Sequence, residues 1–133
     1  MNKKSRIIDT EDRIKIIIRK KIFKKKFDIS EKLIHNLANT INDFNGLHMD
    51  KDTAVLMGFN KQIFHGVGLL GLLSSSIYNE FPGDGYSILS LNSKFNAPAY
   101  LDDIVIVKIE LVKIYKLSNT AKFDFLITNH LSN

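Results

Sequence analysis

The spacing of apolar residues changes period several times along the chain, and each period predicts a different element. Between Arg13 and Phe27, Ile14, Ile16, Ile18 and Ile22 share one parity while Lys15, Arg19 and Lys21 take the other, with a break at Lys20. That alternation predicts a strand with one face in water. Asp28-Ile29-Ser30-Glu31 has the spacing of a capping box, in which a short polar side chain accepts from the first free N–H groups. Leu33, Ile34, Leu37, Ala38 and Ile41 then recur at helical spacing, predicting a helix over about residues 29–41. Residues 42–50 are polar and irregular, and residues 50–57 fit a short helix closed by Gly58.

Residues 65–78 have the length of a helix but carry apolar residues all round and three glycines, Gly66, Gly68 and Gly71. Each glycine costs a helix about 1 kcal/mol relative to alanine. A wholly buried helix whose small residues let another backbone approach is the expectation. Phe81-Pro82-Gly83-Asp84-Gly85 reads as a turn. Three strands are expected after it, over residues 86–96, 104–115 and 120–128, with Leu117-Ser118-Asn119 as the hairpin turn between the last two. A strand, a helix, a buried helix and an antiparallel meander together predict an α+β domain in which a sheet wraps one central helix.

At 133 residues, 44 % apolar and 25 % charged, the chain suits one domain able to bury a core. Residues 1–12 are expected to be a mobile basic tail and residues 13–133 a single domain. The longest charge-free apolar stretch, residues 62–79, is too polar for a membrane span, and no secretory leader is evident. A cytoplasmic protein with no membrane span is expected. There is no cysteine, which removes disulfides, thiolate chemistry and cysteine-based zinc sites. The net charge of +5 is concentrated in residues 1–26, where eleven Lys or Arg face three acids. Such an arm can serve nucleic acid or an anionic membrane. Without interleaved Arg and aromatic residues it reads as a solvated strand face and tail, and no nucleic-acid partner is expected.

Candidate chemistry gathers in two places. Asp43 and His48 stand five residues apart on the polar loop, where a carboxylate and an imidazole can share one water molecule. The same spacing also suits an ordinary polar loop. His65-Gly66 opens the third predicted helix, where free N–H groups at the positive end of the dipole can hold an oxyanion, or the glycine can simply permit a tight entry. Ser74 lies about two turns further on, on the side of Gly66, placed for a substrate or for a bond to its own helix.

Asp43-Phe44-Asn45-x-x-His48-x-Asp50, Phe59, Ile63-Phe64-His65-Gly66, Phe81-Pro82-Gly83-x-Gly85, Phe95-x-x-Pro98 and Asp103 together resemble the MaoC-like dehydratases, and most closely the (R)-specific enoyl-CoA hydratases. The resemblance spans about residues 13–128. It implies a hot-dog fold, an antiparallel sheet around a long central helix, paired as a homodimer. It also implies that the residues matching Asp43 and His48 activate water for reversible syn addition to a trans-2-enoyl thioester. The N–H matching Gly66 would polarise the thioester carbonyl, with Asn45 and the hydroxyl of Ser74 beside the substrate. No metal or organic cofactor is implied; coenzyme A or acyl carrier protein enters as part of the substrate.

The chain departs from that family's pattern at Asn42 and Gly46, where Gly and Pro are usual, and at Asp102, where Gly is usual. Gly46 is expected to loosen the loop carrying Asp43 and His48. The family usually adds a further strand after the segment matching Thr128, and the expectation here is a hot-dog sheet either complete or lacking that last strand. The alternative function is therefore a non-catalytic thioester-binding or subunit-interaction module of the same fold.

Overall fold

The computed structural model describes residues 10–79, 83 and 85–132. Five helices, α1 (Thr10–Lys20), α2 (Glu31–Ile41), α3 (Gly46–Met49), α4 (Lys51–Leu56) and α5 (Gly66–Asn79), accompany three strands, β1 (Ile22–Asp28), β2 (Ile104–Tyr115) and β3 (Thr120–Asn129). The strands form one antiparallel sheet in the order β1-β2-β3. The expected mobile tail lies mostly outside the described residues, although Thr10, Glu11 and Asp12 already belong to α1.

The segment expected as one strand from Arg13 divides in two. Ile14 and Ile18 satisfy helical i, i+4 spacing as well as alternation, and the helix prevails up to Lys20. Lys21 then takes a positive φ of 32°, and β1 begins at the next residue. Pairing explains where the strand starts: β1 runs against β2 from Ile22↔Glu110 to Asp28↔Ile104, and the Lys21 carbonyl accepts from Leu111 N–H at 2.8 Å. The register shift between Leu111 and Lys113 falls in the neighbouring β2–β3 ladder.

Helix α2 starts two residues later than the pattern suggests, with Ser30 rather than Asp28 as its cap. The Ser30 hydroxyl accepts from Leu33 N–H at 3.1 Å. The helix cannot begin earlier because the fully buried Ile29 is tied to the crossing before β2: its N–H donates to Asp103 O and its carbonyl accepts from Asp102 N–H, each at 2.8 Å.

One core layer joins the inner face of the sheet to α5: Phe23, Val107 and Ile109 pack with Leu73, flanked by Phe123, Phe125 and Ile127. A second joins α2 to the entry of α5 through Ile29, Ile34, Phe64, Ala99 and Val105. The β2–β3 hairpin turns where the pattern places it. Asn119, with φ 52°, donates its N–H to Lys116 O, and Ser118 and Thr120 hydroxyls bond at 2.8 Å.

Two expectations are corrected. Helix α5 is buried on one side only: Gly68, Leu73 and Ser76 are inside, while Val67, Gly71, Ser74 and Tyr78 form an exposed stripe. Its close approach at Gly68 is made by side chains rather than a backbone, since a Cβ there would collide with the Phe64 ring and stand 2.6 Å from a Leu37 methyl. Residues 86–96 form no strand. An open groove of about 1740 Å³, floored by Leu69, Leu73 and Ile77, lies between residues 85–100 and β3, so the segment has no ladder to join. The expected Phe81–Gly85 turn falls largely outside the described residues.

The two glycines of α5 should respond oppositely to alanine. Gly68→Ala should lower stability by about 1–3 kcal/mol through overpacking. Gly71→Ala, with open space around its Cβ, should raise it by up to about 1 kcal/mol through helix propensity. Chemical denaturation of both variants measures the difference.

Candidate active site

The site is a junction between the 42–50 loop and the 62–66 segment. Helix α2 ends at Asn42, whose φ of 57° is left-handed. Asparagine tolerates that conformation better than most side chains, which explains how the chain manages without glycine here. Asp43 follows, with its N–H donating to Ala38 O at 3.1 Å and its Oδ1 accepting from Asn45 N–H at 3.2 Å. Asn45 caps α3, accepting from Leu47 N–H at 3.1 Å.

Gly46 starts α3 in a crowded place: a Cβ would lie 2.6 Å from the Thr53 methyl. Thr53 is itself pinned, its hydroxyl donating to Asp50 Oδ2 at 2.6 Å and its N–H to the same oxygen at 2.8 Å. The glycine expected to loosen the loop therefore lets α3 and α4 close against each other. The Thr53 hydroxyl, and then its N–H, hold the Asp50 carboxyl below its ordinary range.

His48 is fixed to the neighbouring segment twice over. Ile63 N–H donates to Leu47 O at 3.0 Å, and His48 Nδ1 lies 2.8 Å from Ile63 O. A carbonyl oxygen can only accept, so Nδ1 carries a proton, and in the neutral ring Nε2 carries the lone pair. The 62–64 segment is held in turn by residues 99–101: Phe64 N–H donates to Ala99 O at 2.7 Å and Leu101 N–H to Gln62 O at 2.9 Å. His65 follows, 1 % exposed, its ring stacked on His48 with centroids 3.7 Å apart. His65 Nε2 donates to Asp43 O at 3.0 Å.

One carboxylate oxygen of Asp43 and one ring nitrogen each of His48 and His65 thus lie within 4.8 Å of one another. The number and distance resemble a cation site, but one nitrogen of each ring is already committed as a donor, His65 Nε2 to Asp43 O and His48 Nδ1 to Ile63 O. Asp43 Oδ2 also lies 4.0 Å from His65 Nε2, and the Asp43 side chain is 43 % exposed where His65 is buried.

Gly66 continues directly from His65 as the first residue of α5. Its N–H, like that of Val67, precedes the first-turn bonds, which begin with Gly68 N–H and Leu69 N–H donating to His65 O. Phe95 covers this glycine: a Cβ there would meet its ring at 3.1 Å. Ser74 stands apart from the group on the exposed stripe of α5. The buried hydroxyl of that helix is Ser76, which donates to Leu72 O at 2.9 Å. The residue that sequence reading passed over is His65. Its signal is position alone, an imidazole directly before the glycine of a helix entry, and nothing local shows that it reaches Asp43 and His48.

The three-stranded sheet packed on α5 and the acid–imidazole junction at the helix entry define a hot-dog domain. The MaoC like domain model matches residues 13–128, and the chain belongs to that family. A 3-hydroxybutyryl-CoA dehydratase of Methylorubrum extorquens is 32 % identical over 89 residues, covering 67 % of this chain and 57 % of that one. An (R)-specific enoyl-CoA hydratase of Aeromonas caviae is 30 % identical over 90 residues, covering 68 % and 66 %. The matched regions thus span somewhat more than half the length of these relatives. The unliganded R-hydratase from Pseudomonas aeruginosa superposes with a TM-score of 0.78 at 24 % identity, covering 84 % of this chain and 72 % of the other, and shares the fold. Among the described residues no helix is long and apolar enough to cross a membrane.

Two variants test the loop. Gly46→Ala should lower stability by about 1–3 kcal/mol, read as a reduced denaturation midpoint. Asp50→Asn tests the charge. The depressed carboxyl stabilises the fold above the unfolded-state pKa of about 3.9 and ceases to do so as pH falls through its lower folded-state value. The variant should therefore melt below wild type at pH 6, with the gap closing as pH approaches 3.

Proposed function

We propose that this chain hydrates trans-2-enoyl thioesters to (R)-3-hydroxyacyl thioesters, and catalyses the reverse dehydration, with Asp43 and His48 as the acid–base pair. The observation that carries the reading is their junction: a solvent-reaching carboxylate within 4.8 Å of a ring nitrogen of His48, whose tautomer is set by Ile63 O. The names of the two curated relatives support the substrate class.

Hydration makes three demands. A water proton must be taken as its oxygen bonds C3, negative charge developing on the thioester oxygen must be held, and a proton must reach C2 on the same face. The Asp43–His48 pair takes the water proton and returns one to C2, acting as a coupled unit. The N–H of Gly66 holds the oxygen; one such donor is worth about 3 kcal/mol in other enzymes. Atoms balance with water and the enoyl thioester alone, so the reading requires no metal or organic cofactor. Asn45 shapes the loop and borders the substrate, and Ser74 is assigned no chemical step. The carrier is coenzyme A or acyl carrier protein, and the working unit is a homodimer.

A second reading, a subunit-interaction or thioester-binding module of the same fold, is favoured by one feature. The groove between residues 85–100 and β3 leaves much apolar surface open. Turnover separates the two.

Purified protein mixed with crotonyl-CoA should show falling enoyl absorbance and yield the (R)-alcohol on chiral analysis. Asp43→Asn and His48→Ala should each lower kcat/KM by about 10²–10⁴-fold, the range for losing a positioned acid or base. Unchanged rates in both variants would remove the assignment, and binding of crotonyl-CoA without turnover would favour the module.

A further inference from the structure

His65 is buried, titratable and unused by the chemistry above. Its ring lies 1 % exposed, and its Nδ1 has no hydrogen-bond partner among the described residues. An unsatisfied buried acceptor costs about 1–3 kcal/mol. A phenylalanine would fill similar space without that cost, so packing alone does not account for an imidazole here. What the imidazole adds is a donor, the Nε2–H on Asp43 O at 3.0 Å.

We propose that His65 is a positioning residue that sets the register of all three functional groups. It touches each by a different link: a hydrogen bond to the main chain of Asp43, a stack at 3.7 Å on the ring of His48, and the peptide bond to Gly66. Asp43 and His48 sit on one loop and Gly66 on another segment, so a ring gripping both sides adds a third tie, at Asp43, to the two bonds by which Ile63 already joins them. The burial of His65 and the edge-on Phe64 ring, 6.2 Å away, keep that grip from rotating. The proposal rests on the hydratase reading for its kinetic consequence, but not for its structural one.

Two substitutions separate the two grips. His65→Phe keeps a stacked ring and loses the donor; His65→Gln keeps a donor near Nε2 and loses the ring. Displacing a reacting group by about 1 Å can cost 10²-fold. Each variant should lower kcat for crotonyl-CoA by about 10- to 100-fold with KM within about twofold, while thermal melting stays cooperative. Restoring kcat to within about threefold of wild type in either variant would overturn the corresponding grip, and in both would overturn the proposal. A rise in KM at unchanged kcat would also overturn it.

Side-chain ¹⁵N NMR provides the readout that needs no turnover. His48 should show sharp ring ¹⁵N resonances of one Nδ1–H tautomer in wild type, and these should broaden in His65→Gln as the unstacked ring gains motion against Ile63 O. If wild type hydrates no thioester, the hydratase reading fails and this spectrum decides for His65 alone. Identical His48 signals in the two proteins would then reject it.

Discussion

The paired bonds between Leu47-His48 and Ile63 hold the site together. Residues 42–50 contain one helical turn of four residues and no strand, so no extended ladder fixes their course. Ile63 N–H on Leu47 O and His48 Nδ1–H on Ile63 O supply the missing constraint. They work because Ile63 is itself immobilised: it bridges Tyr100, and its neighbours Gln62 and Phe64 bond to Leu101 and Ala99. The imidazole is thereby oriented and its tautomer chosen by one carbonyl, the same device by which histidines are held in other sites.

Around that junction the chain accommodates departures from its family's pattern by local means. Asn42 occupies a left-handed position and closes α2, and Asp102 does the same at φ 71° just before β2. Both side chains are short and polar, the types that enter this region at least cost after glycine. Gly46 removes a side chain where Thr53 leaves no room for one, and Thr53 is fixed by Asp50. The loop is thus tightened from its far end, through α4, rather than by stiffening its own backbone.

The sheet side is more open. The inward residues of β1, β2 and β3 meet α5 over Leu73, but the sheet does not reach residues 85–100, and Leu89, Phe95 and Leu126 remain exposed there. The acid–imidazole junction is anchored to α2, α4 and the 99–101 segment. The two halves of the domain are therefore built on different supports.

Features settled within a few residues were legible in the sequence. The apolar stripe of α2, the short α4 after Asp50, the Asn119 turn and the alternating faces of β2 and β3 all depend on contacts spanning only a few positions or on a strict period. Asp43, His48 and Gly66 could be picked out by type and order, through resemblance, but not shown to meet. Tertiary structure decided the rest. An Ile/Lys run compatible with both periods became helix up to Lys20 and strand only where β2 lies alongside. Residues 86–96 stayed unpaired because no strand is beside them. His65 took its place because Asp43, twenty-two residues earlier, and His48, seventeen earlier, fold back onto it. A strand and a stacked ring are defined by their partners, and a one-dimensional pattern does not say which distant residue will be the partner.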